Sequence, residues 1–572
     1  MRISFDIEGD ALNEVVKGKV YQKEATKIHC ISIYDIDTKK SFLFFGENIP
    51  KGIALLRKAD LIIGHNIYAY DIPLIERLYG PLNKQPYHQV FDTIIVSRML
   101  YPEITSNPLP GGSHSLKSWG EFLREEKIEY TGSFEKFTYD MGNYCMQDAK
   151  VGAAIYSHMQ YLPFVKTYEN DVILEHKVAS VIYKQVENGF SFDLPAARSL
   201  EATLLLEKSL IEDKMRKVFP DKVLERWSDK TGKRLKDDIL IFNPGSRQQI
   251  AERLHEKYQW VSPTTDKGNP QVSEEVLESL PYAEAQVLCE YFNKMKLMSQ
   301  VSDWIQRAEI SRDGKIHGSM NTLGTVTGRM TSKEPNMQQV HSDNRARSLF
   351  LASPGTVLVG ADLKGLELRM LAHYLFKYDK GIYRDAVTKG DVHNHNKEAM
   401  KLDDRNTAKV AIYCFLYGGG DEKFARVIKS SIGVARKTKN NLMSNIPGLK
   451  ELVTACKNVA SKQREVRPFL LRPIPVRKEH AALNTLLQSS GAMVSKVWTV
   501  KADELLSITL PPGSYKWIAN IHDELQLECA KEYATQAGGL ILDAAKDAGE
   551  YLGCRCPIEA EYRIGNTWAE TH

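Results

Sequence analysis

Long apolar runs are missing from this sequence. No segment reaches the roughly 20 uncharged apolar residues that a membrane helix needs. The opening MRISFDIEGD meets acidic residues before an apolar core could form, so no secretory leader is expected. Cysteine is sparse, eight in 572 residues, and scattered; only Cys554 and Cys556 are close, and no second pair stands at zinc spacing. That argues against a disulfide framework or a structural zinc, and for reduced thiols in a cytoplasm. Excess charge is lacking too: 76 basic against 72 acidic residues leave +4, which alone does not mark a nucleic-acid binder. Internal repeats and low-complexity tracts are absent.

What is present is the composition of an ordinary globular protein, 43% hydrophobic and 26% charged, in a chain long enough for two or more packed units. Charge is unevenly spread. Residues 1–150 carry 18 Lys+Arg against 20 Asp+Glu, and the remainder 58 against 52. Basic clusters stand at Arg426, Lys429, Arg436, Lys437 and Lys439, and at Arg464, Arg467, Arg472, Arg477 and Lys478. Such runs are either solvated faces or surfaces turned to a polyanion.

Short β-branched and aromatic runs predict strands at Arg2–Ile7, Ile28–Tyr34 and Ser41–Phe45, with the apolar run Ala59–Gly64 after them. A meander followed by alternating helix and strand predicts an α/β domain ending near residue 160. Helical spacing dominates from Asn170 to about Gln306, broken at Asn243-Pro244-Gly245 and Gly268-Asn269-Pro270. There Ser246-Arg247-Gln248-Gln249 reads as a capping box. Beyond about residue 315, Thr356–Gly360 and Ile518–Glu528 read as strands, separated by a Lys/Arg-rich helical block over about 395–465.

Asp6-Ile7-Glu8 ends the first strand. Residues two apart on a strand share a face, so both carboxylates can converge on one spot. Surface strands often carry such pairs, and the pattern alone is weak. Two more fragments strengthen it. Asn66-Ile67-Tyr68-Ala69-Tyr70-Asp71 follows an apolar strand and puts an acid at an element boundary, and Tyr144 and Asp148 stand at i and i+4 on one helix face. Four carboxylates and a tyrosine can hold two divalent cations about 4 Å apart, an arrangement that serves phosphodiester hydrolysis. In this order the D-x-E, N-x3-Y-D and Y-x3-D fragments resemble the motifs of DnaQ-like 3′–5′ exonuclease domains. The resemblance implies a ribonuclease H-like fold, with Asp6, Glu8, Asp71 and Asp148 as metal ligands and Tyr144 orienting the attacking water.

A second acid, Asp362, lies where the strand Thr356–Ala361 meets the helical pattern that begins at Leu363. One carboxylate cannot hold two hard cations, and Asp523, in the His522-Asp523-Glu524 turn, is the natural partner. Between them Arg405, Lys409, Tyr413 and Tyr417 recur every four residues on one side of a helix that glycines 418–420 terminate. Two cations followed by two tyrosines suit a ligand with a polyphosphate at one end and a base at the other. An amphipathic helix with an exposed basic edge gives the same pattern.

Together these three elements resemble motifs A, B and C of family A DNA polymerases, the DNA polymerase I kind. Gly324-Thr325-Val326-Thr327-Gly328-Arg329, Pro335-Asn336-Met337-Gln338-Gln339, Gly390-Asp391-Val392-His393 and Ala481-Ala482-Leu483-Asn484, with Gln488, match flanking signatures. The resemblance runs from residue 1 to Trp568-Ala569-Glu570-Thr571-His572 and is nearest to phage replicases of the thioredoxin-dependent type. It implies an α/β multidomain chain: an exonuclease domain over 1–165, a connecting and thumb region over 166–320, palm over 321–374 and 484–572, and fingers over 375–483. Asp362 and Asp523, with the Leu363 carbonyl, are expected to hold two Mg²⁺, and Glu524 to be an accessory catalytic acid. The exonuclease site is expected to hold two more Mg²⁺, with Mn²⁺ able to substitute. His393, Arg405 and Lys409 would grip the triphosphate. Tyr413 would pack on the incoming nucleotide, and Glu367 would close the space of a ribose 2′-hydroxyl. Tyr417 and Gly418 would border the template base, and Arg329, Asn484, Gln488 and His522 would touch the primer-template.

The expected activity is template-directed DNA synthesis with 3′–5′ proofreading, on primer-template DNA with dNTPs, for a phage genome in a host cytoplasm. Helicase-primase and single-strand-binding proteins are the expected replisome partners. The alternative is a 3′–5′ exonuclease whose polymerase half is degenerate and mainly binds DNA. Two departures qualify the resemblance. Lys364 stands where relatives commonly have Ser, either pointing to solvent or touching nucleotide affinity. Only about twenty residues, Phe219 to Ile241, span the place of a long thumb insertion, so thioredoxin is not expected as a partner.

Overall fold

The computed structural model describes every residue except 11–12, 17–18, 23–24, 104–106, 126 and 266. The chain divides into two compact units. Unit 1 comprises Met1–Ser191, Ile310–Gln339 and Leu351–His572, and unit 2 comprises Phe192–Glu309 and Val340–Phe350.

Unit 1 begins with strands β1 (Arg2–Gly9), β2 (Ile28–Asp35), β3 (Lys40–Phe45) and β4 (Leu61–Gly64), helix α1 (Asp71–Tyr79), strand β5 (Val90–Asp92), and helices α2 (Tyr139–Met159) and α3 (Glu169–Asn188). The sheet order is β3-β2-β1-β4-β5; β1 is antiparallel to β2 and parallel to β4. Alternation along β1 sends Ile3, Phe5 and Ile7 into the core, while Asp6 and Glu8 lie on the other face. Helix α2 lies on that acidic face. Ser32 donates to the Cys145 carbonyl at 2.7 Å, and a Cβ at Gly152 would stand 2.8 Å from Ser4 Oγ, so glycine permits the approach.

The later part of unit 1 is built on β6 (Thr356–Leu363), followed by helices α4 (Leu366–Asp379), α5 (Val392–Met400), α6 (Arg405–Leu416) and α7 (Ala482–Thr509). Hairpin strands β7 (Tyr515–Ile521) and β8 (Glu524–Ala530), helix α8 (Ala534–Tyr551) and strand β9 (Ala560–Gly565) complete it. The sheet is wholly antiparallel in the order β7-β8-β6-β9. Helix α7 is buried along most of its length and shares one core with β6, β8, α4 and α8. The Lys/Arg-rich block expected as helical forms several separate helices with their own caps, such as Asp404 accepting from Thr407 N–H at 2.6 Å.

In unit 2, helices Leu194–Val218 and Ala283–Ile310 are joined by the Lys294–Glu207 pair at 2.7 Å and by Tyr291 donating to Glu212 at 3.1 Å. Ser246 does cap a helix, accepting from Gln249 N–H, but Gln249 reaches back to the Asn243 N–H rather than to that of Ser246. Residues within the span Phe219–Ile241 form a short ribbon, Lys222–Leu224 against Asp238–Leu240. Within the expected connecting and thumb region, 166–320, α3 and residues 310–320 go with unit 1. All eight cysteines are free thiols, seven buried and Cys554 partly exposed. No helix among the described residues is long and apolar enough to cross a membrane.

Candidate functional site

Two acidic centres lie in unit 1. At the first, β1 supplies Asp6 and Glu8, and the start of α1 brings Asp71 to them. The Ile7 N–H donates to Asp71 Oδ1 at 3.1 Å, which fixes this carboxylate beside the strand residue flanked by the other two. Helix α2 adds Asp148, which is 4% exposed. Burial, and then mutual repulsion, push Asp6 well above the ordinary carboxylate range. Burial likewise lifts Glu8 to about 9 and Asp71 to about 8, although the Ile7 N–H partly offsets the rise at Asp71. Asp6 Oδ2 and Asp148 Oδ1 are buried without a hydrogen-bond partner. Orphaned carboxylate oxygens among acids that resist ionising form a donor set suited to hard divalent cations.

Two neighbours were not foreseen. The Cys145 thiol donates to the Asp6 carbonyl at 3.3 Å, and its sulfur lies within 4.8 Å of donor atoms of Asp6 and Glu8. Its position three residues before Asp148 on α2 carries no motif. Lys127 donates to Asp148 Oδ2 at 2.6 Å from a polar loop with no periodic signal.

At the second centre, Asp362 is the penultimate residue of β6 and faces Glu524 on β8 and Glu561 on β9 in register. Asp523 lies in the two-residue turn between β7 and β8, whose first residue, His522, adopts the positive φ of 58° that such a tight hairpin favours. The turn is pinned twice. Ser495 on α7 donates to the His522 carbonyl at 2.6 Å, and the Leu363 N–H donates to the Asp523 carbonyl at 2.9 Å. Asp362 itself reaches solvent, yet partial burial, then Asp523 and Glu524, raise it to about 7. Burial, then Glu367, raise Asp523 to about 6.

Glu524 behaves differently. Burial would raise it, but bonds from His572, Gln526 and Trp568 hold it below the usual carboxylate value. Its oxygens are engaged at 2.7 Å by Gln526 and Trp568 and at 2.8 Å by His572.

A cavity of about 320 Å³ opens beside this turn, lined among others by Arg329, Glu367, Tyr413, Tyr417, His522 and Asp523. The structure thus gathers six of the sequence-derived residues around one space. Tyr413 and Tyr417 stack at 6.3 Å, 25° apart. Arg329 donates to Glu367 at 3.1 Å. Helix α6 stops at Leu416 because Gly418 takes φ 73° and the Gly419 N–H returns to the Cys414 carbonyl. His393, Arg405 and Lys409 do not line the cavity. Arg405 is tied at 2.8 Å to Asp391, which caps α5 and is lowered to about 2 chiefly by that arginine. Burial, then Arg405 and Lys409, lower His393. Asn484 and Gln488 lie on the first two turns of α7. Lys364 Nζ lies 3.7 Å from Glu561, the β9 residue in register with Asp362.

An antiparallel sheet with Asp362 and Asp523 at one end, the latter lining a cavity walled by stacked tyrosines, beside a helix that begins with cations, is an arrangement suited to nucleotidyl transfer. Comparison with known proteins agrees with that class. Residues 221–570 match the family model described as DNA polymerase family A. The DNA-directed DNA polymerase of Escherichia phage T7 is 29% identical, with 99% of each chain covered. DNA polymerase I of Aquifex aeolicus is 24% identical over 89% of this chain and 88% of its own. A solved structure, the POL domain of Pol1 from M. smegmatis in complex with DNA primer-template and dNTP, superposes with a TM-score of 0.76 at 17% identity, covering 99% of this chain and 96% of that one. The chain belongs to DNA polymerase family A and is a DNA-directed DNA polymerase. The phage T7 alignment spans 716 positions against 572 residues here, so that relative carries insertions this chain lacks.

Proposed function

We propose that the chain is a replicative, proofreading polymerase of a phage, with synthesis at the Asp362–Asp523 centre and 3′–5′ hydrolysis at the Asp6–Glu8–Asp71–Asp148 centre. The pinning of the His522-Asp523 turn to β6 and α7, opposite Glu367, Tyr413 and Tyr417, carries the first assignment. The convergence of Asp71 on β1 through the Ile7 N–H carries the second. The sheet order β3-β2-β1-β4-β5 with β2 antiparallel supports a ribonuclease H-like exonuclease domain.

Asp362, Asp523 and the Leu363 carbonyl would hold two Mg²⁺ at one site, and Asp6, Glu8, Asp71 and Asp148 two at the other. Ions bound there would neutralise phosphoryl charge and lower the pKa of the attacking hydroxyl or water. The chain's own residues do the rest. Arg405, Lys409 and His393 receive the triphosphate, and Tyr413 packs on the base. Glu367 excludes a 2′-hydroxyl, Tyr417 and Gly418 border the template, and Arg329, Asn484, Gln488 and His522 sense the primer-template by shape and backbone. Tyr144 orients the attacking water in hydrolysis. Glu524, saturated by Trp568, Gln526 and His572, acts as a structural acid beside Asp362. The working compartment is the host cytoplasm, beside helicase-primase and single-strand-binding proteins.

Extension of a labelled primer on a DNA template with Mg²⁺ tests the assignment. Asp523→Ala is expected to lower synthesis at least about 10³-fold and spare degradation of the primer; Asp6→Ala is expected to do the reverse. Loss of both activities from either change, in a folded protein, overturns the two-site reading.

A further inference from the structure

The Lys127 ammonium touches both residues that α2 brings to the N-terminal acids. It lies 2.6 Å from Asp148 Oδ2 and 4.6 Å from the centre of the Tyr144 ring. The side chains of Lys127 and Asp148 are 20% and 4% exposed, so this is no loosely held surface pair. The contact makes the two oxygens of Asp148 unequal. Oδ2 is bonded to Lys127, whereas Oδ1 is buried with no partner, as is Asp6 Oδ2. Described residues on either side of Lys127 are anchored. Glu125 pairs with Lys150 of α2 at 3.2 Å, and Glu129 pairs with Lys117 at 2.7 Å. Gly120 in the helix Leu116–Leu123 lets the segment close, because a Cβ there would stand 2.5 Å from the Glu125 carbonyl oxygen.

We propose that Lys127 is a positioning residue of the nuclease site: it holds Asp148 Oδ2, presents Oδ1 alone to the metal, and keeps Tyr144 and Asp148 aligned. This rests on the nuclease reading above. Holding one carboxylate oxygen turns Asp148 into a single-oxygen ligand. The fixed positive charge also weakens the site's hold on a divalent cation. A unit charge about 5 Å from such an ion, in a water-like dielectric, changes affinity by on the order of tenfold. Lys127 thus exchanges metal affinity for alignment of the water-orienting hydroxyl and the ligand one helical turn away.

The test uses the full chain carrying Asp362→Ala and Asp523→Ala, so that bound Mn²⁺, read by electron paramagnetic resonance of the free ion, reports the N-terminal acids. In that background Lys127→Met is expected to tighten Mn²⁺ binding about tenfold. The same variant should slow 3′–5′ degradation of single-stranded DNA at saturating Mn²⁺ at least about tenfold. Lys127→Arg, which keeps the charge, is expected to return the Mn²⁺ affinity to the parent value. A merely structural lysine would not give tighter metal with slower turnover. Parental or weaker Mn²⁺ binding by Lys127→Met, or parental turnover, overturns the proposal. Asp6→Ala in the same background separates the failures. If it loses bound Mn²⁺ while Lys127→Met tightens nothing, the Lys127 role alone falls. If it loses none, the nuclease reading falls and takes this proposal with it.

Discussion

Tyr417, at the end of α6, donates its hydroxyl to Glu367 on α4 at 2.6 Å, across 50 residues of sequence. The bond spans the cavity beside Asp523, and the same carboxylate oxygen receives Arg329. On the proposed reading, a nucleotide whose base packs on Tyr413 and whose sugar meets Glu367 would part Tyr417 from that carboxylate. Hydrogen bonds to charged groups contribute about 1.5–3 kcal/mol, and this one, with Tyr417 partly in solvent, sits at the low end. Tyr417→Phe is therefore expected to lower the KM for dNTP about tenfold with little change in kcat, in steady-state primer extension. A higher KM would mean that the hydroxyl holds nucleotide or template rather than the resting site.

The acids make stability depend on pH in a direction that can be worked out. Glu8 stands at about 9, Asp71 at about 8 and Asp362 at about 7, each raised first by burial from ordinary values of 4.5, 3.8 and 3.8. The folded state thus binds more protons than the unfolded chain from about pH 4 up to these values. The stability these groups contribute is full below their unfolded pKa and is lost as pH rises through 7 to 9. With chelator present, the thermal midpoint is expected to fall between pH 6 and pH 9. Saturating Mg²⁺ should raise it more at pH 9 than at pH 6, by roughly 2–4 °C. Asp71→Asn is expected to flatten the dependence in chelator. A midpoint that rises with pH in chelator would contradict the assigned burial of these carboxyls.

Trp568 is 1% exposed and donates its indole N–H to Glu524 at 2.7 Å. Trp568→Ala removes a large core side chain and strips a buried carboxylate of a donor, an expected loss of about 3–5 kcal/mol. Trp568→Phe keeps most of the volume and should lose about 1–2 kcal/mol, with a modest fall in synthesis and unchanged exonuclease activity. Denaturant melts and paired activity assays check both. Equal losses for the two variants would show that the bond, not the packing, dominates.

Much of this was legible from the residues alone. Alternation in β1 announced that Asp6 and Glu8 share a face, and the four-residue spacing from Arg405 to Tyr417 announced a helix capped by glycine. Such signals are local: they depend on the period of a strand or helix and on turn chemistry. Contacts that join distant segments left no such trace. Lys127 meets Asp148 from an aperiodic loop, Trp568 reaches Glu524 from 44 residues away, and α3 joins unit 1 rather than the helices that follow it. Arg405 shows the same limit from the other side. Its place on the helix was readable, but its ion pair with Asp391 was not.

The deepest of these long-range contacts joins α3 to α7. Glu175 on α3 is 1% exposed and receives Lys496 of α7 at 2.7 Å on both oxygens, while Arg472 approaches it at 3.7 Å. Lys496 and Arg472 are 1% and 2% exposed, and Glu175 is the carboxylate within 4 Å of both cations. Asp171, 3% exposed, is a second buried acid: it accepts the Arg472 backbone N–H at 2.8 Å and its charge also acts on both cations. Breaking a buried pair by removing one partner typically costs about 3–5 kcal/mol, because the other charge is left uncompensated. The arrangement predicts an asymmetry. Glu175→Gln leaves both cations with Asp171 as their remaining buried acid and should cost about 3–5 kcal/mol. Lys496→Met leaves Glu175 paired with Arg472 and should cost about 1–3 kcal/mol, mostly from a lost charge-assisted bond. Urea unfolding of the two variants decides the matter. A Lys496→Met loss equal to or larger than that of Glu175→Gln would show that Arg472 does not share the carboxylate, and that the buried centre is a simple pair.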